Sequence, residues 1–364
     1  MKFSAAREAI LIPLQAVMGV VERRQTMPIL ANVLVSARGG TVSITATDLE
    51  VELVASASLD IQQGGDITVP GRKLLDICRA LPDRSTVTLS VEGEKALLRS
   101  GRSRFSLSTL PASEFPTIEE IHASQTLTVP QAELRRLIEK THFSMAQQDV
   151  RYYLNGMLLE TDARNLRSVA TDGHRLALCE MALDGKATAQ QVIVPRKGVL
   201  EMQRVLGQEG DVEISIGTNH IRIDVSGVRL TSKLIDGRFP EYGRVIPANP
   251  PKLVTADRDS LRAALQRAAI LSNEKYRGIR LGIRPHTIVI QAHNPEQEEA
   301  EEELEAGYDG DEVEIGFNVT YLLDALAAVD SAEVELGLTD ANSSCLLRCP
   351  GTTDAKYVVM PMRL

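Results

Sequence analysis

The sequence predicts an α+β protein built from three similar domains. Two amphipathic helices recur three times along the chain at nearly constant spacing, and short alternating segments typical of antiparallel strands lie between them. Hydrophobic residues make up 43% of the 364 residues and charged residues 24%, which is ordinary globular composition. This composition excludes a wholly disordered chain, and the length suits two or three domains.

The first recurring helix begins near Ala6, Pro130 and Asp257, so its copies lie 124 and 127 residues apart. The apolar stripe of the middle copy follows the i, i+3, i+4, i+7 spacing of one helix face and consists of Leu134, Leu137, Ile138 and Thr141. Pro13 falls inside the first copy, and we expect it to kink or shorten that helix.

The second recurring helix opens at Pro70, Pro195 and Asn318, with spacings of 125 and 123 residues. Residues 41–45 and 49–53 alternate between apolar and polar side chains, which predicts half-buried antiparallel strands. Each unit therefore combines two helices with strands. At roughly 120 residues, each unit is large enough to bury a core of its own.

Two short markers keep the same period. Thr47-Asp48 returns as Thr171-Asp172, and Phe115-Pro116 returns as Phe239-Pro240, each 124 residues later. The segments that follow the two Phe-Pro pairs are plausible linkers. We therefore predict domains at residues 1–120, 128–246 and 252–364.

Several features exclude whole classes of protein. No run approaches the 18 apolar residues of a membrane span, and residues 1–4 lack the apolar region of a signal peptide, so we expect a cytoplasmic protein. The four cysteines are scattered, which argues against a zinc site, and we expect them to be reduced and mostly buried. We expect no cofactor and no metal. The net charge of −9 argues against a simple basic nucleic-acid binder but allows a local basic surface.

Five stretches, spread over all three units, resemble the bacterial sliding clamp family, the beta subunit of DNA polymerase III. They are RSRFSLSTLP (102–111), QDVRYYLNG (148–156), ATDGHRL (170–176), NPEQEE (294–299) and VVMPMRL (358–364). The resemblance implies three clamp domains, each with two helices packed on antiparallel sheets. It further implies a head-to-tail homodimer whose six domains form a ring around duplex DNA.

The resemblance implies a function without catalysis. Such a ring is a processivity factor that tethers the DNA polymerase III catalytic subunit, other polymerases and repair proteins, and a separate ATP-dependent clamp loader places it on DNA. Simple dimensions agree: twelve helices at roughly 10 Å each give a circumference of about 120 Å and a hole of roughly 28 Å, enough for a duplex about 20 Å wide. A ring made of one chain would have half that circumference and would be too small.

DNA contacts are expected on the helices and on one loop. The second helices of the first two units begin with Arg72-Lys73 and Arg196-Lys197, which predicts a basic, sequence-independent surface for phosphates. The resemblance adds further candidates, so that the full set is Arg24, Arg72, Gln148, Tyr152, Tyr153, Arg196 and Lys197. If Tyr152 and Tyr153 lie on a strand, they face opposite sides, and at least one is expected to pack structurally.

The resemblance places the subunit interface at opposite ends of the chain. A basic stretch late in the first unit would face an acidic run in the third, and opposite charges of this kind steer and register a contact. The predicted interface residues are Lys73, Arg102, Arg104, Phe105, Leu107, Ile270, Leu271, Glu296, Glu298, Glu299 and Glu302. The alternative for the acidic run is a solvated loop.

A partner-peptide pocket is implied between the middle and last units. Its predicted residues are Leu154, Thr171, Gly173, His174, Arg175, Leu176, Pro240, Arg244, Val245, Ser344, Val358, Met360, Pro361, Met362 and Arg363. Methionines make an adaptable apolar surface that suits many partners. Without the resemblance, the C-terminal residues indicate a buried edge strand, an alternative that remains open for Val359.

Enzyme hypotheses have weaker support. Asp172 and His174 lie two residues apart, but no nucleophile or metal set accompanies them. Ser272 and Lys275 have the Ser-x-x-Lys spacing of penicillin-binding enzymes, but the companion Lys-Thr-Gly is absent. No phosphate-binding loop is present, so ring opening would depend on another protein. A scaffold that binds only proteins and a hydrolase are the remaining alternatives.

Overall fold

The computed structural model describes residues 1–21, 27–118, 120–185 and 187–363. Its α-helices are α1 (Arg7–Val17), α2 (Gly71–Ala80), α3 (Gln131–Glu139), α4 (Arg196–Val205), α5 (Arg258–Ala268) and α6 (Val319–Ala328). Each begins one residue after its predicted start, so the two recurring helices and their spacings are confirmed. Local chemistry explains two of the starts, because the side chains of Asp257 and Asn318 accept hydrogen bonds from the backbone N–H of Ser260 and Thr320.

Pro13 does not shorten the first helix, as the sequence had suggested. Helix α1 continues past it to Val17 and has 11 residues, the same length as α5. Pro13 lies on the buried face with Ile10, Leu14 and Val17. Burial of that face stabilises α1 although proline supplies no backbone N–H.

The strands alternate with the helices along the chain. They are β1 (Lys2–Ala6), β2 (Asn32–Arg38), β3 (Thr41–Thr47), β4 (Val51–Ser58), β5 (Ile61–Gln63), β6 (Gly65–Pro70), β7 (Thr86–Glu92), β8 (Lys95–Ser100), β9 (Ser103–Ser108), β10 (Gln125–Pro130), β11 (Gly156–Thr161), β12 (Asn165–Thr171), β13 (Arg175–Ala182), β14 (Gln190–Pro195), β15 (Asp211–Ile216), β16 (His220–Val225), β17 (Val228–Lys233), β18 (Lys252–Asp257), β19 (Gly278–Arg284), β20 (Thr287–His293), β21 (Glu299–Glu305), β22 (Val313–Asn318), β23 (Glu333–Leu338), β24 (Cys345–Arg348) and β25 (Ala355–Val359).

The chain divides into two compact units, each containing one eight-stranded antiparallel sheet. The first unit comprises residues 1–135 and 197–234, and its large sheet has the order β10-β15-β16-β17-β4-β3-β2-β6. Pairing of β17 with β4, for example Leu230 opposite Leu53, joins strands of the first and second sequence repeats. A smaller sheet of the same unit has the order β5-β1-β7-β8-β9, with β9 at its edge.

The second unit comprises residues 136–196 and 235–364. Its large sheet has the order β14-β11-β12-β13-β25-β24-β23-β18, and its smaller sheet has the order β21-β20-β19-β22. Strand β25 pairs with β13, so the C-terminal strand joins the second and third repeats. Both units therefore combine parts of neighbouring repeats, and the middle repeat contributes strands to each large sheet.

The cysteines are free thiols, and burial raises the pKa of two of them. Cys78, Cys179 and Cys345 are buried, as predicted, whereas Cys349 is half-buried. Burial raises the pKa of Cys78 to about 11 and that of Cys345 to about 12, so both thiols stay protonated near neutral pH. None of the helices in the described part of the chain is long and apolar enough to cross a membrane.

Candidate functional site

The connection between β12 and β13 is a tight turn, and its own side chains maintain it. Asp172 Oδ1 accepts hydrogen bonds from the backbone N–H groups of His174 and Arg175 at 2.9 and 3.0 Å. Thr171 Oγ1 donates to the Arg175 carbonyl at 2.6 Å and accepts from Gly173 N–H at 3.1 Å. Gly173 has φ +88°, a left-handed conformation that glycine adopts without strain. Asp172 thus acts as a structural turn residue.

A cavity of about 200 Å³ lies beside this turn, within the second unit. Its lining is predominantly apolar and consists of Arg151, Tyr153, Leu154, Thr171, Gly173, Arg175, Leu176, Pro240, Tyr242, Val245, Val358 and Met360. The floor belongs to a buried apolar cluster that includes Leu176, Val358 and Phe239. A concave apolar site with a few convergent polar groups is typical of a ligand pocket.

The C-terminal strand forms one wall of the cavity. Val358 lies opposite Leu176 in the pairing of β25 with β13, and Met360 N–H donates to the His174 carbonyl at 2.9 Å. The Met360 side chain is 37% exposed, whereas Val359 is 1% exposed. The alternative interpretation of Val359, as part of a buried edge strand, is therefore correct in part. Its side chain is buried, but β25 is an interior strand of the sheet and not an edge strand.

Arg175 is fixed from several sides. Its guanidinium donates to Asp172 at 3.1 Å, to Asp324 at 2.5 Å and to the Phe143 carbonyl at 2.7 Å. Its Cζ also lies 4.6 Å from the centroid of the Tyr321 ring, a cation–π distance. Arg175 therefore presents a preorganised polar edge to the apolar cavity.

Some predicted pocket residues lie near the cavity without lining it. The His174 ring stacks on Tyr321 at a centroid distance of 6.4 Å, and Ser344 Oγ lies 3.5 Å from the carbonyl of the lining residue Val245. Arg244 is exposed and forms an ion pair with Glu241 at 2.7 Å. The remaining predicted residues continue the C-terminal segment beyond the lining and are Pro361, Met362 and Arg363.

Two lining residues, Arg151 and Tyr242, were missed by the sequence reasoning. Tyr153, predicted as a DNA contact, also lines the cavity. Two signals were available, since Arg151 and Tyr153 lie in the quoted segment 148–156 and Tyr242 closely follows Phe239-Pro240. The pair Tyr152-Tyr153 lies in a 3₁₀ turn (Tyr152–Asn155), so the assumption of a strand was wrong. Tyr152 is 57% exposed, whereas Tyr153 packs against the apolar cluster, as expected for at least one of them.

The predicted DNA contacts differ in how free they are to reach a phosphate. Arg72, Gln148 and Tyr152 are exposed, and Arg72 Nη2 also donates to the Val21 carbonyl at 2.9 Å. Lys197 forms an ion pair at 2.5 Å with Asp48, whose side chain is 8% exposed. Arg196 is half-buried, with Nη1 3.5 Å from the Met145 carbonyl, and Arg24 lies outside the described residues.

The predicted interface residues lie at the edges of the two smaller sheets and beside them. In the first unit, Arg102 and Arg104 are exposed, as is Lys73, whereas Leu107 on edge strand β9 is only 6% exposed. In the second unit, Ile270 is 76% exposed and Leu271 is half-buried. The exposed residues Glu296 and Glu298 precede edge strand β21, which begins at the exposed Glu299 and in which Glu302 pairs with Arg267 at 2.7 Å. Most of the acidic run is therefore strand, although a solvated loop had been the alternative.

Comparisons with known proteins decide the family. Models of the DNA polymerase III beta subunit match the N-terminal domain over residues 1–119, the central domain over 128–241 and the C-terminal domain over 243–363. The chain is 56% identical to the beta sliding clamp of Pseudomonas putida and 53% identical to that of Escherichia coli K12, with 100% of both chains covered.

The chain belongs to the DNA polymerase III beta subunit family. The crystal structure of this subunit from Pseudomonas aeruginosa superimposes with a TM-score of 0.98 at 55% identity, and that from Caulobacter crescentus with 0.95 at 41%, each with full coverage of both chains. The predicted fold of three clamp domains is confirmed. The function is that of the family, a sliding clamp that acts as a non-catalytic processivity factor in DNA replication.

The local geometry agrees with a clamp rather than with either enzyme hypothesis. Ser272 is 3% exposed, and its hydroxyl donates to the Ala269 carbonyl at 2.8 Å, as in a structural turn. Asp172 accepts backbone N–H groups, and the ring of His174 stacks on Tyr321. In this chain, the contacts of Ser272, Asp172 and His174 are therefore structural.

Proposed function

We propose that two copies of this chain close head to tail into a ring around duplex DNA. Strands β9 and β21 are edge strands of their sheets, and an edge strand offers backbone groups for pairing with another chain. Exposed Arg102 and Arg104 accompany the first edge, and Glu298 and Glu299 accompany the second. This complementarity favours heterologous contacts, and two copies then form a ring in which each edge of one copy pairs with the opposite edge of the other.

The surface for DNA in this proposal is sequence-independent. Exposed Arg72, Gln148 and Tyr152 would contact the duplex, with Arg196, Lys197 and Arg24 as further candidates. Contacts to phosphate carry no base information, which suits a ring that slides. A protein that works on the chromosome of a bacterium acts in the cytoplasm, so that location belongs to the same proposal.

The cavity of the second unit is proposed to capture short apolar peptides of partner proteins. The observation that carries this proposal is the apolar cavity of about 200 Å³ between the Thr171–Arg175 turn and β25. The partners would be the DNA polymerase III catalytic subunit, the clamp loader, other polymerases and repair proteins. Tethering a polymerase to a ring increases its effective concentration at the primer end, which supplies processivity without chemistry.

A substitution in the cavity wall tests this function. Met360→Ala removes an exposed apolar side chain from the lining, and we expect it to weaken peptide binding by on the order of 1–3 kcal/mol, as anchor residues do. Leu253→Ala is the matched control, because Leu253 lies on β18 of the same sheet, is 44% exposed and does not line the cavity. The measurement is fluorescence anisotropy with a labelled clamp-binding peptide from the replicative polymerase.

The control also distinguishes an effect on the pocket from a general effect of truncating an exposed side chain on this sheet. Wild type and Leu253→Ala should bind the peptide equally, and all three proteins should have the same sedimentation coefficient. Equal affinity of Met360→Ala and wild type would place the peptide site elsewhere.

A further inference from the structure

A row of polar side chains crosses four strands of the large sheet in the second unit. The row consists of cross-strand partners on β14, β11, β12 and β13, namely Gln191, Glu160, Arg167 and Glu180. An apolar row lies on the same face of the sheet, two residues away from the polar row along each strand. It consists of Ile193, Leu158, Val169 and Leu178. The apolar row belongs to the cluster under the peptide pocket, so the polar row borders that cluster.

The side chains of the polar row are joined by hydrogen bonds. Arg167 donates to Glu160 at 2.8 Å and to Glu180 at 2.9 Å, and Gln191 donates to Glu160 at 2.6 Å. The side chains of Arg167 and Glu160 are only 21% and 17% exposed. Burial works against both charges, but the hydrogen bonds outweigh it, so the pKa of Glu160 is lowered and that of Arg167 is raised. The pair is therefore ionised over the physiological range.

Tyr242 links this row to the pocket. Its hydroxyl donates to Glu160 Oε2, and Arg167 Nη1 donates to the same hydroxyl at 3.3 Å. Its ring packs against the apolar cluster and lines the cavity. Burial, together with the bond to Glu160, raises the pKa of Tyr242 to about 12, so the phenol remains a donor.

Apart from Tyr242, the anchors of the surrounding segment lie at its ends, where Ile246 packs against the apolar cluster and Ser344 Oγ donates to the Val245 carbonyl at 3.5 Å. Pro240 and Val245 also line the cavity, but both are exposed, as are the intervening Gly243 and Arg244. Phe239 is buried at 5% exposure and anchors the beginning of the segment. The bond between Tyr242 and Glu160 fixes its middle, between the two exposed lining residues.

We propose that the Glu160–Arg167 ion pair is a positioning device for the peptide pocket, because it holds Tyr242 and thereby the wall formed by residues 239–245. The inference deepens the proposed function and rests on it. Glu160, Arg167 and Tyr242 act here as positioning residues, and a preformed wall lowers the cost of ordering that binding would otherwise incur.

A double-mutant cycle tests the coupling with the same labelled polymerase peptide and the full-length clamp. Tyr242→Phe keeps the ring and removes the donor, and Glu160→Ala removes the acceptor. Each should weaken peptide binding by roughly threefold to tenfold, the net scale of one typical intramolecular hydrogen bond. The double variant should bind like either single variant, because both changes break one connection. Glu160→Gln retains an acceptor oxygen and should restore part of the affinity.

A matched ion pair controls for loss of stability. Arg348 donates to Glu335 at 2.6 Å across β24 and β23 of the same sheet, and neither residue lines the cavity. Glu335→Ala should lower the midpoint of thermal unfolding while leaving peptide affinity unchanged. Unchanged affinity in Tyr242→Phe and Glu160→Ala, or additive losses in the double variant, would overturn the inference. Failure of the wild type to bind the peptide would instead refute the proposed function.

Discussion

Glu52 is a buried carboxyl on β4, with 6% exposure and one hydrogen bond from Ile118 N–H at 2.9 Å. Burial raises its pKa above the ordinary 4.5, although the Ile118 N–H and the charges of Arg222 and Arg229 act in the opposite direction. Folding therefore favours the protonated form. Its contribution to stability is fully present below the unfolded pKa and is lost as pH rises through the folded pKa.

Glu52→Gln should remove that pH dependence, because an amide can still accept the Ile118 bond but does not ionise. We expect the free energy of unfolding of the variant, relative to wild type, to increase as pH rises from about 4 to about 7. Denaturant titrations at a series of pH values measure this difference. Glu50→Gln, which removes an exposed carboxyl two residues earlier, is the control. A difference between Glu52→Gln and wild type that is constant with pH would contradict the assignment.

Arg72 and Lys197 begin corresponding helices but should behave differently on DNA. Arg72 is exposed, so Arg72→Ala should lower the slope of log affinity against log salt by about 0.9, the value for one phosphate contact. Lys197→Ala should change the slope less and lower stability, because it leaves Asp48 without its ion pair. Filter binding at several salt concentrations, together with thermal unfolding, distinguishes the two. A larger change of slope for Lys197→Ala would reverse this ranking.

At the residue scale, the sequence and its family resemblance identified residues that line the pocket. They did not identify the side chains with which those residues form hydrogen bonds and ion pairs. Leu176, Val358 and Met360 were predicted and line the cavity together. The ion pair of Lys197 with Asp48 joins positions far apart in sequence, and no local pattern predicts it. The sequence marked the neighbourhood of Tyr242 through Phe239-Pro240, but the bond of Tyr242 to Glu160, 82 positions earlier, is equally non-local.

At the scale of elements, the helices were predictable because their periodicity and starting residues are local properties. The pairing of β4 with β17 and of β13 with β25 is non-local and depends on how complete sheets pack, so the periodicity could not supply it. The same distinction applies to the acidic run. Its composition is typical of a solvated loop, but Glu299–Glu305 pairs with β20 as a strand.

The 3₁₀ turn after α5 (Ala269–Leu271) provides a test of the subunit interface. Ile270 is 76% exposed, so Ile270→Ala should leave the fold intact and weaken the proposed dimer. Burying an isoleucine side chain contributes about 1.5–3 kcal/mol, so sedimentation should show a larger monomer fraction at micromolar concentration. Ile12→Ala is the control, because Ile12 on α1 is 65% exposed and lies outside the proposed interface. An unchanged dimer in Ile270→Ala, or equal weakening in both variants, would remove Ile270 from the interface.

At the scale of the whole molecule, three domains in one chain supply half of the proposed six-domain ring. The first unit carries the basic edge at β9, and the second carries the acidic edge at β21 together with the peptide pocket. Retention on DNA would then depend on topology rather than on a tight contact with any base.

Retention on circular and linear DNA tests this topological claim most directly. The protein is loaded onto a singly nicked circular plasmid by a bacterial clamp loader with ATP, isolated by gel filtration at moderate salt, and then treated with a restriction enzyme that linearises the plasmid. A ring should remain with the circle and slide off the ends after cleavage. Equal retention before and after linearisation would contradict a ring that encircles the duplex.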